Sequence, residues 1–536
     1  ELEKYMYGGP DATAYFVRET RKSTWFTQCP VTLAKSNGVP EFGSEWSCSI
    51  SRAGDYLLGT WLHVVTPAVS LKTGGPSLCL SWAPNFMHAL IKECSITFND
   101  LVAASFTGTH LDFWAAFTTP ASKSAGYAQM IGAACPSLGN SLPSMRLNLP
   151  LPFFFSRDSG VALPTAALPY NEMRIAFKFA PINEMLMAFE NPQPLDDSTH
   201  ITDGENVVCI PADHAQPKMI PANTNAAANM VNNILDFPGQ SGIGLAGRVP
   251  YSDIQLQKEP SLGSNAVQVW ANYAIVSNEE RKRMACAPRD ILIEQVQSIP
   301  THLVNQSYSL DVNNLVAVAA ASNPLQVSAD IRFSHAVKVL FFGLKNMSNP
   351  AVHSNYTTGI PVMKQAANAD LCVANDGLAK RVAGVSAKYS ELTNCNGSQG
   401  GRFGMMSQAN CLELGCCNAK DPVAKASLVY ENTARLGLMS NDYYSHVQPY
   451  YHAPAVPNAS STSSTWCQSG VHMYSYSLDF ICLDPLGSTN YGKLTNVQLN
   501  VETEPNLGMC GVNGLTGTKN NGGSYNLSHA SMVETL

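Results

Sequence analysis

One unbroken stretch, Leu149 to Ile175, constrains this chain more than any other. LPLPFFFSRDSGVALPTAALPYNEMRI sets three consecutive phenylalanines and four prolines around a polar SRDSG corner. Proline fixes φ and lacks an amide donor, so the part before Tyr170 can be neither a helix nor a central strand. From Asn171 to Phe179 the pattern changes. Met173, Ile175, Phe177 and Phe179 alternate with Glu172, Arg174, Ala176 and Lys178, which is the period of a half-buried strand. The stretch therefore predicts a rigid, mostly apolar connector that docks on a sheet and then enters it. Phe153, Phe154 and Phe155 face either their own domain's core or a neighbour. Arg157 is a candidate to pair with a carboxylate across an interface. Asp158 reads as turn chemistry, its carboxylate accepting from nearby N–H groups; as one of two paired carboxylates with Glu172 it would do acid–base work, and nothing else in the stretch points that way.

Alternation of the same kind recurs. Cys94, Ile96 and Phe98 form one run, and Val267, Val269, Ala271, Tyr273 and Ile275 another. Tyr474, Tyr476, Leu478, Phe480 and Cys482 make a third, and Val497, Leu499 and Val501 a fourth. Gly, Pro, Asn and Ser clusters lie between them. Many strands joined by irregular polar loops predict an all-β protein of sandwiches or jelly rolls. Helical signals are short, at Ser277–Cys286 and Leu111–Phe117.

A chain of 536 residues is too long for one core, and a boundary falls near residue 286. The strand pattern Val267–Val276 runs into SNEERKRMA, where Ser277 or Asn278 caps a helix with acids first and bases last, as the helix dipole prefers. Ala287-Pro288 breaks it, and a new strand is expected over Asp290–Gln297. The domains are then 1–286 and 287–536, each long enough for an eight-stranded sandwich. Two long aperiodic segments, 181–265 and about 362–420, read as functional or surface-decorating loops.

Composition narrows the function. Charged residues make up 14% of the chain, against about 25% in ordinary soluble domains, which favours a protein whose surface is covered by neighbours. The net charge is −7 and the densest basic cluster is Arg281-Lys282-Arg283, so direct nucleic-acid binding is not expected. No apolar run is long enough for a membrane helix, and no signal peptide is present. Without an initiating Met, a short leader is either removed or not included.

The remaining motifs are weak. Gly242, Gly244 and Gly247 spell G-x-G-x-x-G, but Pro238 precedes and Pro250 follows, so a flexible loop is favoured over a nucleotide site. Cys372, Cys395, Cys411, Cys416 and Cys417 cluster without any C-x2-C pair. They are free thiols, a disulfide-pinned loop or, least favoured, a zinc site. His446 and His452 read as structural. N-x-S/T sequons at Asn305, Asn346, Asn355, Asn396, Asn458 and Asn526 are candidate N-glycosylation sites, in about the number chance would supply. No catalytic residue, cofactor or metal site is assigned.

Beyond these patterns, the chain resembles the major capsid proteins of nucleocytoplasmic large DNA viruses, the iridovirus type above all, with phycodnavirus and marseillevirus types as cousins. The resemblance is carried by Leu149–Ile175 and by collinear segments along most of the chain. These are Met6-Tyr7-Gly8-Gly9 with DATAYFVRET, SRAGDYLLGTWLHVVTP (51–67), PNFMHALIKECSITFND (84–100), NEERKRMA (278–285), RDILIEQVQ (289–297), DIRFSHAVKVLFF (330–342), SNYT (354–357), DPVAKASLVYENTARL (421–436) and GSTNYGKLTN (487–496). It implies a double jelly roll, two eight-stranded antiparallel sandwiches side by side. It further implies homotrimeric capsomers of pseudo-hexagonal outline tiling an icosahedral shell over an inner membrane. Neighbouring capsomers, minor capsid and penton proteins would be the partners, and assembly would take place in the host cytoplasm. The long loops would cap the outward towers.

One departure stands out: residues 503–536 are mostly Gly, Asn, Thr and Ser where the family supplies a last apolar strand. Either that strand is short and irregular or the chain stops early. The rival reading is a carbohydrate-binding jelly roll acting in attachment, with Tyr443, Tyr444, Tyr450 and Tyr451 stacking on sugars. A glycan-processing enzyme lacks a convincing acid–base pair.

Overall fold

The structure is a computed structural model. It describes residues 2–9, 12–13, 15–16, 22–72, 78–133, 141–168, 172–190, 200–203, 206–209, 248–249, 254–286, 290–299, 302–308, 310–311, 316–317, 326–346, 354, 356, 361–365, 412–416, 421–457, 470–503 and 525–535.

Two antiparallel sheets enclose the first core. One runs in the order Phe26–Thr32, Val267–Val276, Tyr56–Val65, Arg146–Pro150. The other runs Ala34–Asn37, Glu45–Ser49, Met173–Phe179, Ile91–Phe98, Leu101–Thr107. Period-2 alternation aims Leu62, Val64, Val267 and Val269 from the first sheet at Cys48, Cys94, Ile96 and Ile175 from the second, all buried in one cluster.

Leu149–Ile175 is the connection between these two sheets. Its first residues end the Arg146–Pro150 strand, paired with Tyr56–Val65, and its last begin Met173–Phe179, paired on both sides. The prolines leave few amides to satisfy, and those present bond locally or to the sheet. Leu151 N–H donates to the Thr60 carbonyl, while Leu57 and Leu163 exchange bonds. Phe153 and Phe155 stack at 5.6 Å and Phe153 lies 5.3 Å from Phe106. All three phenylalanines are buried in the first core, and so they plug their own sandwich.

The second sandwich repeats this order, apart from the edge strand Ala34–Asn37, which has no counterpart among the described residues. His302–Tyr308, Tyr525–Thr535, Val339–Asn346 and Val471–Ser475 form one sheet, with Gln297–Ser298 extending its edge. Gln326–Ile331, Val497–Thr503, Val423–Tyr430 and Thr433–Ser440 form the other. Even the tight turns correspond. Asn99-Asp100 (φ 50° and 64°) and Glu431-Asn432 (φ 48° and 65°) are two-residue hairpin loops whose left-handed backbones match the twist of the flanking strands.

Three segments differ from the sequence expectation. Alternation over Met473–Cys482 predicts one strand, yet it ends at Ser475. There Ser475 Oγ donates to the Ser477 carbonyl, Ser477 Oγ to that of Asp479, and Asp479 accepts from Ile481 N–H. These local bonds replace the ladder. Over Asp290–Gln297 only Gln297 is in a strand; Glu294 and Gln295 are spent on contacts outside it. Finally, the polar C-terminus holds an eleven-residue strand, Tyr525–Thr535. It lies between His302–Tyr308 and Val339–Asn346, completing the sheet that composition left open.

Candidate functional site

With no substrate chemistry legible in the chain, the arrangement that matters is the joint between the sandwiches. It is built by the helix Gly108–Thr118, longer than the expected Leu111–Phe117, which leaves the Leu101–Thr107 strand directly. Thr107 caps it, accepting from His110 N–H. Leu111 turns back into the first core. Phe113 and Phe117 turn outward into a separate cluster with Val339, Phe341, Tyr356, Val471, Met473 and Phe480. Val339–Asn346 is two-faced: Leu340, Phe342 and Leu344 line the second core, so Val339 and Phe341 lie on its outer face. Phe117 stacks on Phe341 at 5.4 Å and 10°, and Phe113 lies 5.3 Å from Tyr356. The approach is close enough to need a glycine. A Cβ at Gly343 would sit 2.9 Å from the Phe113 ring.

Polar contacts flank the rings. Asp112, buried on the same helix, accepts from Ser354 Oγ at 2.9 Å and Tyr356 O–H at 2.8 Å, and pairs with His88 Nδ1 at 2.6 Å. His88 Nε2 meets the Tyr127 hydroxyl at 2.8 Å. In this relay the serine bonds the carboxylate, not the imidazole, so it is not arranged as a nucleophile and base. Burial pushes the Tyr127 phenol up, and the Asp112 charge adds to that. Desolvation pushes the Lys345 ammonium down to about 8, opposed by the charges of Asp112 and Glu184.

On the other flank Arg157, from the SRDSG corner, pairs with Glu294 at 3.0 Å, both nearly buried. Its guanidinium carbon sits 3.9 Å over the Trp114 ring. Glu294 also takes Lys338, whose Nζ donates to the Cys482 carbonyl at 2.8 Å. Burial lowers the affinity of Arg157 for its proton, and the Glu294 charge opposes this. One carboxylate thus serves two cations, one from each sandwich. Next to Arg157, Asp158 accepts from Ser159 N–H at 2.8 Å, closing a turn. Glu172 is held by Arg174. The two carboxylates have separate partners.

Of the remaining candidates, Tyr444 is buried and bonds the Ala426 carbonyl, and Tyr443 accepts from Gln448. Tyr450 and Tyr451 are exposed and meet edge to face at 87°, so they form no flat platform. His446 bonds Ser445, and His452 donates to the Leu478 carbonyl. The side chains of all six sequon asparagines and of the clustered cysteines, and the G-x-G-x-x-G loop, lie outside the described residues. Among the described cysteines, burial pushes the Cys48 thiol up to about 12 and holds Cys94 well above the ordinary value, so neither is a ready nucleophile.

Sequence reasoning missed Phe113, Phe117, Asp112, Glu294 and Lys338. A signal was present: in THLDFWAAF three aromatics follow an acid on a helix too short to form a core of its own.

Two sandwiches of one strand order, joined by an outward-facing helix, define a double jelly roll of the viral capsid class. Comparison bears on this directly. The chain matches the family described as major capsid protein N-terminus over residues 14–217, and that described as large eukaryotic DNA virus major capsid protein over 280–532. The major capsid proteins of Costelytra zealandica iridescent virus and of Tipula iridescent virus are each 45% identical to it over 515 residues, 94% of this chain and 86% of those proteins. In fold it matches the chain of the PBCV-1 virus capsid, with a TM-score of 0.56 at 18% identity, covering 97% of this chain and 95% of that one. The chain belongs to the major capsid protein family of large eukaryotic DNA viruses, in its iridovirus branch. It is a structural protein, not an enzyme; it assembles with copies of itself into the virus shell, and its place is the virion capsid.

Proposed function

We propose that three copies associate head-to-tail into a closed capsomer of pseudo-hexagonal outline, and that these capsomers tile an icosahedral shell. The observation carrying this reading is the shared order of eight strands in the two sandwiches. A chain with two like sandwiches contributes two of six near-equivalent wedges, so three chains complete a ring. The domains are taken as 1–286 and 287–536, because separate apolar clusters lie on either side of the 287–299 connector. Assembly in the host cytoplasm, over an inner membrane and with minor capsid and penton proteins as partners, goes with this reading. Nucleic acid is not contacted directly, in keeping with the net charge of −7. Native mass measurement of the purified protein tests the ring. Three chains of 57.6 kDa in one particle, with hexagonal outlines in stained images, are expected; a monomer that binds glycans would replace it with the attachment reading.

A further inference from the structure

The joint inside the chain is heterologous: a helix of one sandwich lies on a sheet face of the other. Among the described residues, each chain leaves one further surface of each kind without such a joint.

The unused helical surface is in the second sandwich. Tyr443–Val447 and Gln448–His452 follow Thr433–Ser440 almost directly, as Gly108–Thr118 follows Leu101–Thr107. Counted from the strand ends, Leu111 and Tyr444 hold the same place, and each turns into its own core. Phe117 and Tyr450 also hold the same place. Phe117 is fully buried against Phe341, whereas Tyr450 is 73% exposed, with Tyr451 at 71% beside it.

The unused sheet surface is in the first sandwich. Tyr56–Val65 corresponds to Val339–Asn346 in strand order. Leu62 and Val64 point into the core, so Trp61 and His63 point out. On the adjacent strand Val267, Val269 and Ala271 point in, so Gln268 and Trp270 point out. Trp61 and Trp270 are opposite one another and stack at 6.1 Å, half-buried. An outward-facing aromatic pair on a sheet is the counterpart of the Phe341 face that Phe117 covers.

We propose that the Tyr443–His452 segment of one subunit docks through Tyr450 and Tyr451 on the outer Trp61–Trp270 face of the next copy, repeating between chains the joint found within the chain. The occupant is a second copy because the chain assembles with itself and because the equivalent contact is already formed internally. Aromatic anchors meeting an aromatic face are the residues expected to dominate such an interface. The inference rests on the ring reading above and specifies its contact.

The test uses two full-length variants. Tyr450→Glu with Tyr451→Glu alters only exposed side chains and spoils the helical surface. Trp270→Glu spoils the sheet surface, and Gln268→Arg on the same face replaces it should that variant not fold. Each alone is expected to run at one third of the wild-type native mass, with an unchanged circular dichroism spectrum. Mixed together they should form a one-to-one pair and stop there, because one sound surface of each kind remains between them; an interface using the same patch on both chains would not give this. Assembly of either variant to the wild-type mass, or a mixture of folded variants that stays monomeric, overturns the contact while leaving the ring reading intact. A monomeric wild-type protein overturns both.

Discussion

The two sandwiches share one order of strands and are held together by different chemistry. In the first, Trp46, Phe177 and Phe179 stack in series, and Phe153, Phe154 and Phe155 seal the end where the chain crosses between sheets. In the second, three phenols form a chain. Tyr476 bonds both Tyr430 and Tyr491 beside Phe333, which stacks on Tyr491 at 5.9 Å. The fold is indifferent to this exchange because backbone ladders and alternation set the topology. The consequence lies elsewhere: the raised groups of the first sandwich are thiols and separate phenols, Cys48, Cys94, Tyr127 and Tyr273, whereas those of the second include phenols bonded to one another.

The largest effect is expected where the sandwiches touch. Removing a buried phenyl costs about 3–5 kcal/mol through lost burial and the cavity left behind. Phe155→Ala removes a ring from the first core only, so it should lower stability while leaving the two sandwiches coupled in one transition. Phe341→Ala removes a ring shared by Phe113, Phe117 and Phe480, so it should also uncouple the sandwiches. Scanning calorimetry would then show two separated transitions for Phe341→Ala and one lowered transition for Phe155→Ala. A single, uniformly lowered transition in both would mean that the Phe341 ring is not what couples them.

How much of this was legible in the sequence follows the same division. The Leu149–Ile175 connector and the strands around Val267–Val276 and Val497–Thr503 could be read because prolines and strict alternation leave one solution. Arg157 could be singled out because a lone cation in an apolar stretch needs a partner. That the partner is Glu294 could not be read, since the two lie more than a hundred residues apart and RDILIEQVQ looks like a strand until its carboxylate and amide are seen to be used elsewhere. The run after Ser475 misled for the opposite reason: Ser and Asp supplied local bonds that period alone does not reveal. The closing strand Tyr525–Thr535 was hidden because sheet pairing, not apolar content, defines it.

The ion cluster at the joint gives the next effect. Glu294→Gln leaves Arg157 and Lys338 as two nearly buried cations facing a neutral amide, and breaking a buried pair in this way costs about 3 kcal/mol. Arg157→Met keeps the Glu294–Lys338 pair and loses chiefly the contact over Trp114, about 1–2 kcal/mol. Denaturant midpoints of the two variants should rank in that order. The reverse ranking would mean that Arg157, not Glu294, is the centre of the cluster.

The smallest effect separates the two sandwiches by pH. Burial, with the charges of neighbouring phenols adding to it, pushes Tyr476 far above the ordinary value, and Tyr491 and Tyr430 also stand raised. A raised phenol is neutral in the folded chain at a pH where the unfolded chain ionises it. Its stability is fully present below the unfolded value of about 10 and is lost as pH rises beyond it. Lys345 works the other way. Its folded value of about 8 lies below an unfolded value of about 10.4, so the unfolded chain binds more protons between them and stability rises with pH across that window. The second sandwich should therefore hold or gain stability from pH 8 to about 10 and lose it above, whereas the first, whose Cys48 and Cys94 thiols and Tyr127 and Tyr273 phenols all stand raised, should only lose stability, from about pH 8.5 upward. Lys345→Met should abolish the gain, and Tyr476→Phe, which cannot ionise, should blunt the later loss. With Trp466→Phe in place, tryptophan fluorescence follows the first sandwich, since the other six tryptophans lie within residues 1–286, and the change that Tyr476→Phe makes in the alkaline absorbance transition follows the second; simultaneous alkaline loss by both would show that the joint, rather than the phenol chain, sets the limit.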